Sequence, residues 1–358
     1  MSSRRFSENP SNTRGYDRGF RGRGRASWSS QGRGASTLNT GNRRLENIAS
    51  VSRSSGVEKD GDALKNHKTQ EEYREFIQGK LDSFWKSPPS TEQQTRDAQE
   101  NLLILIRKLR EGIVASKRND AFGVEVCETS LYIATLFNHP KQLSSILPYF
   151  IPHPSDSTAE VLSQQSYSMC AIFIALINQL ILGYPSQTLY RQSIHSIPDL
   201  LLRRSSKSYR WISSLSTSLW ANNFSKSEQL TRRSSITSLL DELLPDSLSA
   251  HLTDLSLSSH SSQSNHDIAR KAFSHAVDML RVKIRNSAWN IIRSSYRELS
   301  CNANSETRDW LNRSLSLTVA HSEDICDSSL DIWLKEKSAA GHIRSKEGVE
   351  GRWVFCKK

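Results

Sequence analysis

In the last ninety residues, hydrophobic positions recur every three or four places, the spacing of one face of an α-helix. The longest ladder predicts a helix over residues 267–299. Two shorter ladders follow it, one around Trp310 and one around Trp333. Residues 342–344 and 352–356 flank a Gly-containing loop and predict a β-hairpin. One long helix, two short helices and a terminal hairpin together predict a winged helix.

The same helical spacing runs back along the chain to residue 70, in segments of ten to twenty residues separated by short breaks rich in Asn, Pro and Gly. Residues 169–183 form the most apolar run, but it contains Asn178 and Gln179 and is too short for a membrane span. A fully buried helix is therefore predicted there. With almost no strand signal before the hairpin, the pattern predicts a mostly α fold.

Changes in composition divide the chain into four parts. Residues 1–69 are rich in Arg, Gly and Ser without apolar periodicity, which predicts a disordered tail. Residues 70–252 predict a helical-repeat, α-solenoid-like body, although no sequence repeat of fixed length is present. Residues 253–266 are dominated by Ser, His and Asn and predict a surface loop. Residues 267–358 predict the long helix with the winged helix.

The net charge of +11 is unevenly placed. Residues 1–44 hold ten arginines and two acidic residues, a net charge of +8, so the other 314 residues carry about +3. The charge therefore predicts a basic tail rather than a basic globular surface.

An Arg-Gly segment with interspersed aromatic residues lies inside the tail. Guanidinium groups pair with phosphates and stack on bases, and aromatic rings add stacking. The segment predicts weak RNA binding without sequence choice, and the alternative is a solubilising tail with no ligand. The candidate RNA-binding residues are Arg18, Phe20, Arg21, Arg23, Arg25, Trp28 and Arg33.

No catalytic or metal-binding motif is found in the sequence. There is no His-Glu-x-x-His, Gly-x-Ser-x-Gly or phosphate-binding loop, and the five cysteines include no Cys-x-x-Cys pair. We therefore expect no enzyme activity, no catalytic residue, no cofactor, no metal and no small-molecule substrate. The polar, Arg-rich N-terminus has no signal-peptide pattern, so we also expect no membrane association and a cytoplasmic or nuclear location.

Two basic features remain as binding candidates. The long helix carries five basic side chains, expected on a solvated surface or in salt bridges between subunits, with nucleic-acid contact as the alternative: Arg281, Lys283, Arg285, Arg293 and Arg297. The terminal hairpin could contact a phosphate backbone, but strand addition to a partner's sheet is the favoured interpretation. Its candidate partner-binding residues are Arg344, Arg352, Trp353 and Phe355.

Three stretches resemble the PCI domain, the helical-repeat and winged-helix module of multi-subunit complexes. They are residues 169–180, residues 219–224, and the helix with Arg285, Tyr296 and Leu299. The likeness covers roughly residues 95–358 and is greatest to the small-subunit family shared by the proteasome lid, the signalosome and a translation-initiation complex. It implies a scaffold subunit that binds other PCI-type subunits. The GANP-type scaffolds of mRNA export have the same architecture and imply an RNA-associated adaptor instead.

Overall fold

The computed structural model describes the chain in seven segments: residues 45–53, 63–151, 167–199, 201–244, 259–302, 305–317 and 328–356. The predicted Arg-Gly segment of the tail lies outside them. Within these segments the chain is mostly helical, as expected, with one small sheet near the C-terminus.

The described residues form twelve α-helices and three strands. The helices are α1 (His67–Lys86), α2 (Glu92–Ser116), α3 (Ala121–Leu136), α4 (Pro140–Phe150), α5 (Met169–Gly183), α6 (Thr188–Ser196), α7 (Lys207–Trp220), α8 (Phe224–Leu230), α9 (Arg233–Leu243), α10 (Ser259–Ser295), α11 (Glu306–Ser314) and α12 (Ser328–Ala339). The strands are β1 (Glu298–Ser300), β2 (Ile343–Ser345) and β3 (Arg352–Phe355). They form one antiparallel sheet in the order β1-β3-β2.

Short polar side chains start most of these helices. Asp120 accepts the Gly123 N–H at the start of α3, and Ser206 accepts the Tyr209 N–H at the start of α7. Each bond satisfies one of the backbone donors that the first helical turn leaves free, so the polar breaks between the apolar ladders fix where the helices begin.

The main core is built around two helices. The apolar helix α5 is buried along almost its whole length, as its composition predicted. The N-terminal two thirds of α10 packs against α3 and α5 through Ala272, Phe273 and Leu280, which are fully buried. This core continues to Ile284 and includes buried residues from every helix between α1 and α10 except the short α8, whose Phe224 and Leu230 are partly buried against it.

A second core begins one helical turn further along α10. Ala288, Trp289 and Ile292 pack with side chains of the sheet and of α11 and α12. The other buried members are Leu299, Cys301, Leu311, Leu315, Leu317, Leu330, Leu334, Ile343 and Phe355. A single helix therefore carries the apolar face of both cores, and its continuity fixes the C-terminal unit (residues 288–356) on the helical body.

Two arginines on α10 close the junction between the cores. Arg281 is 3% exposed and donates to the carbonyl oxygens of Thr231 at 2.8 Å and Ser316 at 3.2 Å. Arg285 donates to the carbonyls of Leu315 and Ser316, both at 2.9 Å. These carbonyls lie at the C-terminal ends of α8 and α11, where cations are favourable.

The expectation that the basic residues of the long helix are solvated is thus wrong for most of them. Arg281 and Arg285 hold the junction, and Arg293 donates to the Cys356 carbonyl at 2.9 Å. Lys283 and Arg297 are exposed. Periodicity placed Arg281 and Arg285 on neighbouring positions of one helix, but it could not show that carbonyl oxygens from two distant helix ends meet them there.

Three predicted boundaries also differ from the structure. Helix α10 begins at Ser259, eight residues earlier than predicted, so the second half of the predicted loop 253–266 is helical. It ends at Ser295, and Leu299 lies in β1 instead. Ile48 and Leu64 are buried in the main core, so the last part of the predicted tail 1–69 packs on the body.

Candidate partner-binding surface

The terminal sheet has one buried face and one open face. In an antiparallel strand, successive side chains point to opposite faces. Trp353 and Phe355 therefore point inward on β3, whereas Arg352 and Val354 point outward. Arg344 lies directly across from Val354 on β2, so it is also on the outer face. The sheet thus separates the four predicted partner-binding residues into an exposed pair, Arg344 and Arg352, and an inward pair.

Phe355 is not available to a partner. Its side chain is 6% exposed, and its ring lies 5.5 Å from the Trp289 ring, centroid to centroid. Trp353 is half-buried and packs on the same core. The prediction of Phe355 as a partner contact assumed an exposed side chain, whereas the register of β3 turns this side chain into the second core.

An ion pair crosses the outer face of the sheet. The Lys346 Nζ donates to Glu298 Oε1 at 2.9 Å, joining the β2 end to β1 across the central strand. The Lys346 hydrogen bond is the main factor that lowers the pKa of Glu298, and the charge of Arg352 acts in the same direction. Both partners are well exposed, so the pair contributes little to stability and leaves the face polar and accessible.

The outer edge of β2 has backbone groups without a strand partner, and those of Ser345 are exposed, whereas Ile343 is only 1% exposed. His342 and Lys346 bond to β3, through Cys356 N–H to His342 O at 3.0 Å and Lys346 N–H to Arg352 O at 2.9 Å. By alternation, the N–H and C=O of Ile343 and Ser345 point away from β3. In the part of the chain that the structure describes, no further strand pairs with this edge. An edge of this kind accepts an added strand.

Two contacts hold the helices beneath the sheet. Arg308 on α11 donates to both carboxylate oxygens of Asp331 on α12, at 3.0 and 2.8 Å. This hydrogen bond is the main factor that lowers the pKa of Asp331. Trp289 on α10 donates to His342 Nδ1 at 3.3 Å, beside the start of β2. These contacts therefore fix the positions of α10, α11 and α12 beneath the open face and edge of the sheet.

The C-terminal part of the chain is electrostatically balanced. Residues 298–358 contain nine Lys and Arg and ten Asp and Glu, a net charge of −1. Arg308, its most deeply buried arginine, is used internally. Most of the binding energy of a protein for a phosphate backbone comes from cations that acidic residues do not balance. This unit has no excess of cations over acidic residues.

No family model, curated protein or solved structure matches this chain.

The described segments also bear on metal-binding sites and membrane-spanning helices. Those segments contain no group of three or more His, Cys, Asp and Glu side chains that could hold a metal ion. No helix among them is long and apolar enough to cross a membrane. The tail candidates from Arg18 to Arg33 lie outside the described residues.

Strand β1 is the part of this surface that the sequence analysis missed. Its three residues follow directly after α10, and their apolar spacing continues the helical ladder to Leu299. Tyr296 keeps the helical spacing, so the sequence carries no local sign that the helix ends at Ser295. Pairing with β3 makes this segment a strand, and such pairing cannot be found from local spacing.

We predict that replacing Asp331 with Asn destabilises the C-terminal unit in a pH-dependent way. Because the folded pKa is lowered, the contribution of the carboxylate is fully present above its ordinary pKa and is lost as pH falls through the folded pKa. Asp331→Asn should reduce the free energy of unfolding by about 1 kcal/mol at pH 7. Urea unfolding followed by tryptophan fluorescence at stepped pH measures this.

The matched control is Glu347→Gln, which removes one exposed carboxylate from the hairpin loop of the same unit. Its stability should follow the wild type at every pH. A deficit in Asp331→Asn that stays constant down to the lowest pH would contradict the ion-pair explanation.

Proposed function

We propose that this chain is a non-catalytic scaffold subunit of a PCI-type multi-subunit complex, and that its C-terminal unit is a winged helix that binds partner proteins. The order of elements supports this proposal: the end of a long helix, a strand, two helices, a strand, a loop and a strand, with the last strand in the middle of the sheet. Stacked helices leading into that unit match what the PCI resemblance implies.

The main support for the proposal is that an open sheet edge lies at the end of a helix that belongs to both cores. Helix α10 belongs to both cores, so a partner bound at β2 is held at a fixed place relative to the helical body. A binding edge that is held rigidly suits a subunit that sets the geometry of an assembly, because the edge loses less conformational freedom when the partner binds.

The charge of the unit favours a protein partner over a phosphate backbone. Exposed residues on α12 alternate in sign, with Lys335 next to Glu336, and the sheet face pairs Lys346 with Glu298. A strand from another subunit would instead use the free backbone groups at Ser345, with Arg344 available beside it. This supports the partner-sheet interpretation of the hairpin.

A proline at position 345 tests this use of the edge. The Ser345 N–H points outward, so Ser345→Pro removes a donor from the free edge without removing a bond to β3. We expect the full-length variant to lose its co-purifying subunits and to elute later on gel filtration of an extract from its source cells. Ser345→Ala keeps the N–H and should behave as wild type.

Circular dichroism shows whether both variants are folded. A wild-type chain that elutes as a free monomer in extract would overturn the scaffold proposal. Retention of all partners by a folded Ser345→Pro variant would overturn the edge as the docking site.

The second candidate function is an RNA-associated adaptor of the GANP type, favoured by the Arg-Gly segment at residues 18–34. Replacing Arg18, Arg21, Arg23, Arg25 and Arg33 with serine in the full chain removes half of the ten arginines in residues 1–44. If the tail binds RNA, crosslinking to cellular RNA should fall several-fold. Unchanged crosslinking would remove the tail as the RNA contact.

A further inference from the structure

The charge outside the tail is concentrated in one part of the chain. Residues 187–297 contain fifteen Lys and Arg and eight Asp and Glu, a net charge of +7. Residues 45–186 carry −3 and residues 298–358 carry −1. The small total of +3 for the body therefore averages one basic stretch of sequence with two slightly acidic ones.

Helices α6 and α7 contain no acidic residue, and they pack side by side. Gln187 Nε2 donates to the Ser216 carbonyl at 2.8 Å, and Tyr190 Oη donates to the Ile212 carbonyl at 3.4 Å. These two bonds join the start of α6 to the middle of α7. Their linker holds Asp199, which pairs with Arg204 at 3.0 Å.

One exposed stripe runs along α7 at helical spacing. Its members recur every three or four residues and are Lys207, Arg210, Ser214, Thr217 and Trp220. The stripe has cations at one end, hydroxyl groups in the middle and an indole at the other end. Over these residues the helix rises about 20 Å, the length of about six stacked nucleotides at 3.4 Å each.

Trp220 is the most exposed large apolar side chain in the described segments, at 67%. The Arg191 guanidinium of α6 lies over its ring, 5.9 Å from the centroid. An exposed indole held beside an arginine offers both a stacking platform for a base and a cation for the adjoining phosphate.

One carboxylate lies near the Lys207 end of this surface, where Glu242 Oε1 accepts the Ser208 N–H at 3.2 Å. Within the described segments, Arg191, Lys207 and Arg210 form no ion pair with a carboxylate. Lys207 Nζ donates to Ser238 Oγ at 2.8 Å, and Arg210 Nε donates to the Ser206 carbonyl at 3.4 Å, both neutral acceptors. By contrast, Arg204 and Arg232 each form an ion pair with an acidic residue.

We propose that this α6–α7 surface, made of Arg191, Lys207, Arg210, Ser214, Thr217 and Trp220, binds single-stranded nucleic acid without sequence choice. Lys207 and Arg210 contact phosphates at one end of the stripe and Arg191 contacts a phosphate at the other end, the two hydroxyls donate to phosphate or sugar oxygens, and one base stacks on Trp220. The surface is separate from the sheet edge and from the tail, so it stands whether or not the scaffold proposal holds.

Fluorescence anisotropy with labelled 20-mers of oligouridine and oligothymidylate tests the surface. The protein is the full chain carrying the serine substitutions at the five tail arginines, so that the tail does not mask the effect. The test variants are Trp220→Ala and the triple variant Arg191→Glu/Lys207→Glu/Arg210→Glu. The control triple variant is Lys68→Glu/Lys86→Glu/Lys141→Glu, with the same charge change at exposed positions on α1 and α4.

We expect Trp220→Ala to weaken binding at least about fivefold, the value of one lost base stack. The α6–α7 triple variant should reduce the slope of log affinity against log salt by about 2, because three phosphate contacts disappear. The control triple variant should change the slope far less. Preference for the RNA or the DNA oligomer identifies which nucleic acid is bound, and either supports the surface.

Three outcomes would overturn the proposal. One is equal weakening by both triple variants, which would mean only a diffuse effect of net charge. Another is unchanged affinity in Trp220→Ala. The third is tighter binding of a labelled poly-glutamate peptide than of either oligomer, which would assign the surface to an acidic protein. Circular dichroism of each variant shows that the exposed substitutions leave the fold intact.

Discussion

The structure depends on one helix that is shared by two hydrophobic cores. Helix α10 runs 37 residues, packs on α3 and α5 up to Ile284, and carries the second core from Ala288 onward. Only a single turn separates the two, so neither core can shift without moving the other or breaking the helix. The arginines near this turn also hold the two cores together. A buried guanidinium is costly unless its donors are paired, and Arg281 pairs only if the ends of α8 and α11 are both in place.

This constraint connects fold to the proposed roles. The C-terminal unit is small, and its sheet is made of strands of three or four residues, which would be marginal alone. On α10 it becomes a fixed platform with an open edge. The unit is nearly neutral, whereas the α6–α7 surface has unpaired cations and an exposed indole. The proposed protein contact and the proposed nucleic-acid contact therefore lie on different parts of the molecule and differ in chemistry.

The sequence predicts those parts of the structure that depend on local spacing. The apolar run at α5, the ladder of α10 and the two strands of the hairpin are of this kind. Features that depend on distant partners could not be obtained in this way. Strand β1 exists because β3 pairs with it, and Arg281 is buried because two remote helix ends meet it. The face of Phe355 follows from the register of β3 against its neighbours. The α6–α7 surface was missed for another reason: the charge was summed over the whole body, which averaged a basic region with an acidic one.

Native-state hydrogen exchange along α10 tests the central claim most directly. If one helix couples the two cores, amides on both sides of the junction, near Leu280 and near Ile292, should exchange through the same large opening, with similar free energies and the same dependence on denaturant. Fast exchange from Ala288 onward, with a much lower opening free energy than the first part of the helix, would show that the C-terminal unit opens independently and would contradict the account.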